Sequence, residues 1–115
     1  MLRSEPPLVL GVTVLTSMDD SNLAELGIPE SAEDRVLRLA KLASESGIRG
    51  LVCSPQEIKL IRKNLGDEIQ LITPGIRPES RDAGDQKRTM TPADAIKAGA
   101  NWLVIGRPIT GAPSP

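Results

Sequence analysis

Four short apolar runs, each separated from the next by helix-start and helix-stop chemistry, constrain this chain more than anything else in it. The runs are Leu8–Leu15, Leu51–Cys53, Ile69–Thr73 and Trp102–Ile105. Near-continuous apolar runs of this length read as buried strands rather than as half-exposed ones. After the first run, Ser31-Ala32-Glu33-Asp34 has the form of a capping box. Val36, Leu39, Ala40 and Ala43 follow at helical spacing, and Gly47 stops the helix. Ser54-Pro55-Gln56-Glu57 sets an N-cap, a first-turn proline and an N3 glutamate in order, with Gly66 as the stop. Thr91-Pro92-Ala93-Asp94 repeats that chemistry ahead of Gly99. Strands alternating with helices predict an α/β unit: four parallel strands joined by about three right-handed crossover helices.

In such sheets, open or closed into a barrel, ligands sit at the carboxyl ends of the strands. The candidate positions are then Thr16 and Ser17, Ser54, Thr73 to Arg77, and Gly106-Arg107. Two successive strands deliver an arginine just past their ends, in Pro74-Gly75-Ile76-Arg77-Pro78 and Gly106-Arg107-Pro108. Glycine lets an anion approach the backbone, and a guanidinium forks onto two phosphate oxygens. Each arginine alone would be an ordinary surface residue in a turn; together on one side of a parallel sheet they favour a phosphate site. Ser54 is accounted for by its capping role. Thr16 and Ser17 either initiate a turn at Asp19-Asp20 or present hydroxyls to a ligand. Cys53 reads as a small buried hydrophobe. The stretch from Pro74 to Met90 is long for a loop in a compact α/β unit, and long loops are more often functional.

Composition narrows the function classes. The 115 residues suit one domain, burying roughly 65% of the unfolded chain's surface, with residues 1–7 and 111–115 expected to fray. A formal net charge of −1, no Phe, no Tyr and one Trp argue against nucleic acid or anionic membrane as partner. No apolar run is long enough for a membrane span, and no signal-peptide core is present. The single cysteine excludes an internal disulfide and suits a reducing compartment, hence a cytoplasmic setting. Histidine is absent, which removes His-dependent nucleophile schemes and histidine metal sites.

Six ordered blocks carry a resemblance. They are Val12-Thr13-Val14-Leu15-Thr16-Ser17-Met18, Val52-Cys53-Ser54-Pro55-Gln56-Glu57, Thr73-Pro74-Gly75-Ile76-Arg77-Pro78, Gly84-Asp85-Gln86-Lys87-Arg88, Met90-Thr91-Pro92 and Val104-Ile105-Gly106-Arg107-Pro108-Ile109-Thr110. Together they closely resemble the C-terminal half of bacterial orotidine 5′-phosphate decarboxylase, from about Pro7 to Thr110. The resemblance implies the C-terminal half of a (β/α)8 TIM barrel. It also implies a lyase of pyrimidine biosynthesis, dimeric, working without cofactor or metal, that converts orotidine 5′-monophosphate to uridine 5′-monophosphate. By matching motif, Thr16 would sit by the pyrimidine. Arg77 and Gln86 would belong to the loop closing over the nucleotide, and Gly106 and Arg107 would hold the 5′-phosphate.

The departure from the family is equally informative. The resembled enzymes carry their chemistry on an Asp-x-Lys-x-x-Asp motif plus a further lysine, all in the N-terminal half. No such motif occurs here. The nearest imitation, Asp85-Gln86-Lys87-Arg88-Thr89-Met90, has methionine in place of the second aspartate and lies in the wrong block. The expectation is a half-barrel with much of the phosphate grip, no catalytic residue of its own, and either a homo-oligomer or the missing N-terminal half as partner. A non-catalytic nucleotide-binding half-barrel, or another phosphosugar barrel, would share the strand-tip arginines.

Overall fold

The structure, a computed structural model, describes residues 6–77 and 89–114. Its sheet has four strands in the order β1 (Leu10–Val12), β2 (Gly50–Val52), β3 (Gln70–Thr73) and β4 (Trp102–Leu103). Every neighbouring pair is parallel, in registers that align Val12, Val52, Ile72 and Trp102 across the sheet. The crossovers are α2 (Ala32–Glu45) preceded by a short α1 (Asp20–Glu25), then α3 (Ile58–Leu65), then α4 (Pro92–Ala98); a one-turn α5 (Arg107–Thr110) follows β4. This is the predicted half of a barrel, with β1, β3 and β4 shorter than the apolar runs that encode them and β2 displaced by one residue from its run. Runs 8–15 and 102–105 outlast their ladders because β1 and β4 each have a neighbour on one side only. Backbone bonds do persist slightly past the strands, from Thr13 N–H to the Val52 carbonyl (3.2 Å) and from Val104 N–H to that of Thr73 (2.9 Å).

Three capping expectations had different outcomes. Ser31 accepts from Asp34 N–H (3.1 Å) and Thr91 from Asp94 N–H (3.3 Å), as their sequences predict. Ser54 does not cap: the segment Pro55–Glu57 winds as a 3-10 turn, and no side-chain bond forms at its start. The reason is local. The tighter turn sends the Glu57 N–H to the Ser54 carbonyl (3.2 Å), using the donor that the hydroxyl would have taken. Where a turn was expected at Asp19-Asp20, α1 forms instead. Asp19 and Asn22 exchange side-chain and backbone bonds of 3.1 and 3.0 Å in a full capping box, which the S/T-x-x-E/Q pattern does not encompass.

The core lies on one face of the sheet. Leu51 and Leu71 are completely buried with Val36 and Ala40 of α2, Ile58 and Ile61 of α3, and Ala95 of α4. The opposite face carries the alternate residues, and on the outer strands it is open: Val12 is 59% exposed and Trp102 62%. These strands are therefore buried on one face, not two, which corrects the reading of their apolar runs. The exposed face is the one that would line a barrel.

At the amino end of the sheet, Arg62 of α3 ties three segments together. It donates to the carbonyls of Ile69 (2.7 Å) and Gly99 (2.8 Å) and to Asn101 Oδ1 (2.6 Å), which also accepts from Leu71 N–H (2.8 Å). One guanidinium thus fixes the entries to β3 and β4. Arg62→Ala is expected to lower unfolding free energy by about 3 kcal/mol, because charge-assisted bonds are worth roughly 1.5–3 kcal/mol each and do not add fully. Urea denaturation would measure it, and a loss below about 1 kcal/mol would remove this residue from the account of the fold.

Candidate functional site

The five side chains that are both polar and buried among the described residues are Thr16, Ser54, Glu57, Thr73 and Arg77. All lie at or beyond the carboxyl ends of β1, β2 and β3. Buried polar groups are costly unless they are used, so their concentration at one end of a sheet marks that end for function. The other end holds the Arg62 staple. The sheet thus separates a chemical end from a structural one, as barrels do.

Arg77 is placed by its backbone. After Thr73 the chain turns through Gly75, whose φ of 77° lies in the left-handed region that glycine adopts without strain. Ile76 then pairs with Met90 as a parallel bridge, with Arg77 N–H donating to the Met90 carbonyl (3.0 Å) and Met90 N–H to that of Gly75 (3.1 Å). The long excursion after Arg77 therefore leaves and returns at one point on the rim. Gln86, predicted to belong to the closing loop, lies outside the described residues, as do Asp85 and Lys87.

Gly106 sits at the start of α5 with φ −114°, a value open to any residue. A Cβ built there would meet no atom of the described residues within 4 Å. The absence of a side chain leaves the Gly106 backbone open to close approach. That space adjoins a cavity of about 220 Å³ lined by Pro74, Ile76, Arg77, Val104, Gly106 and Arg107. The structure thus brings together Arg77, Gly106 and Arg107. Thr16, 8% exposed, lies two strands away at the tip of β1 and does not line this cavity.

A larger cavity of about 470 Å³ lies between the ends of β1 and β2, among Asp19, Asp20, Glu33 and Glu57. Its carboxylates would repel a phosphate, so size is a poor guide here. Glu57, an N3 helix-start residue by its sequence, is 1% exposed; nothing in the local pattern separates a buried N3 glutamate from an exposed one. Among the described residues no cluster of His, Cys, Asp and Glu could hold a metal, and no helix is long and apolar enough to cross a membrane.

Comparison with known proteins follows the same lines. The orotidine 5′-phosphate decarboxylase from Idiomarina loihiensis is 56% identical over 111 residues, covering 96% of this chain and 48% of that protein. That from Vibrio parahaemolyticus is 57% identical over 109 residues, with 95% and 47% covered. The crystal structure of the Lactobacillus acidophilus orotidine 5′-phosphate decarboxylase superimposes with a TM-score of 0.75 at 41% identity, over 95% of this chain and 44% of that one. An uncharacterized conserved protein from Geobacillus kaustophilus gives 0.70 at 34% identity, over 92% and 42%. The chain spans about half the length of the curated relatives it matches. The profile of the orotidine 5′-phosphate decarboxylase / HUMPS family matches residues 2–115, and with relatives this similar in sequence and structure the chain belongs to that family.

Proposed function

We propose that this chain supplies the nucleotide- and phosphate-binding half of an orotidine 5′-phosphate decarboxylase, the enzyme that releases CO2 from orotidine 5′-monophosphate to leave uridine 5′-monophosphate. The observation that carries this reading is the meeting of Arg77, Gly106 and Arg107 around one cavity at the ends of β3 and β4. Two guanidinium groups and an unobstructed backbone suit a phosphate dianion. Thr16 at the tip of β1 would face the pyrimidine, and Gln86 would reach toward base and phosphate. The setting is cytoplasmic. The partner is a second copy of the chain or a half-barrel bearing the Lys/Asp array, and the resembled enzymes' two-barrel dimer is the assembly of the whole.

Uridine 5′-monophosphate should bind more tightly than uridine, and Arg107→Ala should remove most of that preference. A charge-assisted bond to phosphate contributes roughly 1.5–3 kcal/mol, so the loss should be about tenfold or more. Equal affinities of the unaltered chain for nucleotide and nucleoside in calorimetry would refute the assignment.

A further inference from the structure

The described residues hold two hydroxyls, Ser54 Oγ and Thr73 Oγ1, that are fully buried and have no hydrogen-bond partner. A buried hydroxyl left unpartnered opposes folding, so its retention calls for a use. Capping is not that use for Ser54, because the Glu57 N–H is already taken by the Ser54 carbonyl. Strand alternation separates the two hydroxyls. Leu51 and Leu71 face the helices, and the ladder continues to Cys53, whose N–H donates to the Ile72 carbonyl (3.2 Å). Residue 54 therefore falls on the side of Val52 and Ile72, the face that lines the barrel, whereas Thr73 falls on the helix side with Leu71.

The order of the sheet then sets what Ser54 can reach. The tip of β2 stands between Thr16 at the end of β1 and Arg77 beyond β3, and two strands from Gly106-Arg107 at the end of β4. At about 4.8 Å per strand that is roughly 10 Å from the phosphate grip. This is too far for a phosphate held by Arg107, and within the span of the nucleoside attached to it. Resting on the nucleotide reading above, we infer that Ser54 is a ligand-contacting residue whose hydroxyl hydrogen-bonds the nucleoside portion of the nucleotide rather than its phosphate.

The test measures calorimetric affinity for uridine 5′-monophosphate and for uridine, and the ligand-free melting temperature, for the unaltered chain, Ser54→Ala and Arg107→Ala. Ser54→Ala should weaken both ligands by the same factor, roughly three- to tenfold. The ratio of their affinities should hold, and the melting temperature should stay level or rise, since the orphaned hydroxyl is gone. Unchanged affinities overturn the inference. So does a loss confined to the nucleotide, which would put Ser54 on the phosphate, and so does a fall in melting temperature, which would make the serine part of the fold. If the unaltered chain binds neither ligand, the nucleotide reading fails and this inference with it. If it binds and Arg107→Ala collapses the nucleotide preference while Ser54→Ala does nothing, only the role of Ser54 is lost.

Discussion

Incubated alone with orotidine 5′-monophosphate, this chain is expected to form no measurable uridine 5′-monophosphate. A grip on phosphate and base lowers the free energy of bound substrate and transition state alike, and only an interaction stronger in the transition state accelerates the step. In the family this sequence resembles, that interaction comes from lysine and aspartate side chains that stand against the substrate carboxylate and the developing carbanion. The sequence here has no Asp-x-Lys-x-x-Asp segment to provide it. Among the described residues, the arginines that line the cavity at the ends of β3 and β4 are Arg77 and Arg107. On the proposed reading they would serve the end of the nucleotide that does not react. Supplying the N-terminal half of a relative in trans should restore turnover, and Arg107→Ala should then depress it. Robust product formation by the chain alone, abolished by Arg107→Ala and so not due to a contaminant, would show that the catalytic assignment is wrong.

The second large effect concerns assembly. At micromolar concentration the chain is expected to run in light scattering as a dimer or larger species. Leu10, Val12, Trp102 and Val104 are between 40% and 62% exposed. They lie on the two outer strands or, for Val104, just past the end of β4, and each outer strand has one unpaired edge. Unpaired strands and contiguous apolar surface both promote association. Burying four such side chains is worth on the order of 10 kcal/mol before the entropy of association, against about 8 kcal/mol for a micromolar complex. A complementary half-barrel should compete for the same face and reduce self-association. A monodisperse monomer at these concentrations would count decisively against this view.

Much of the fold is legible in the sequence because it is written locally. Hydroxyl caps at Ser31 and Thr91, prolines in first turns, and glycines after α2, α3 and α4 set the helix limits from neighbouring residues alone. The strand tips were legible for the same reason: Gly-Arg after an apolar run needs no distant partner to be noticed. What failed depends on context the sequence does not carry. Ser54 looks like the other two caps, and whether the following turn winds as α or 3-10 decides if its hydroxyl is used. Glu57 sits at a position that is usually solvated, and its burial comes from elements packed around it. The length of β1 and β4 depends on how many neighbours each has, which a single run of valine and leucine does not reveal. Gln86 rests on the family resemblance alone.

The spatial order of the strands is also their order along the chain, with no strand waiting for a later one to be inserted beside it. During synthesis each new strand meets a docking edge already made and extends it from one side. Growth of this kind keeps contacts local, which favours rapid folding and limits the time an unfinished sheet spends exposed. It also makes the architecture divisible. A segment divided off between strand–helix units keeps every ladder within it and gives up only the two at its outer strands.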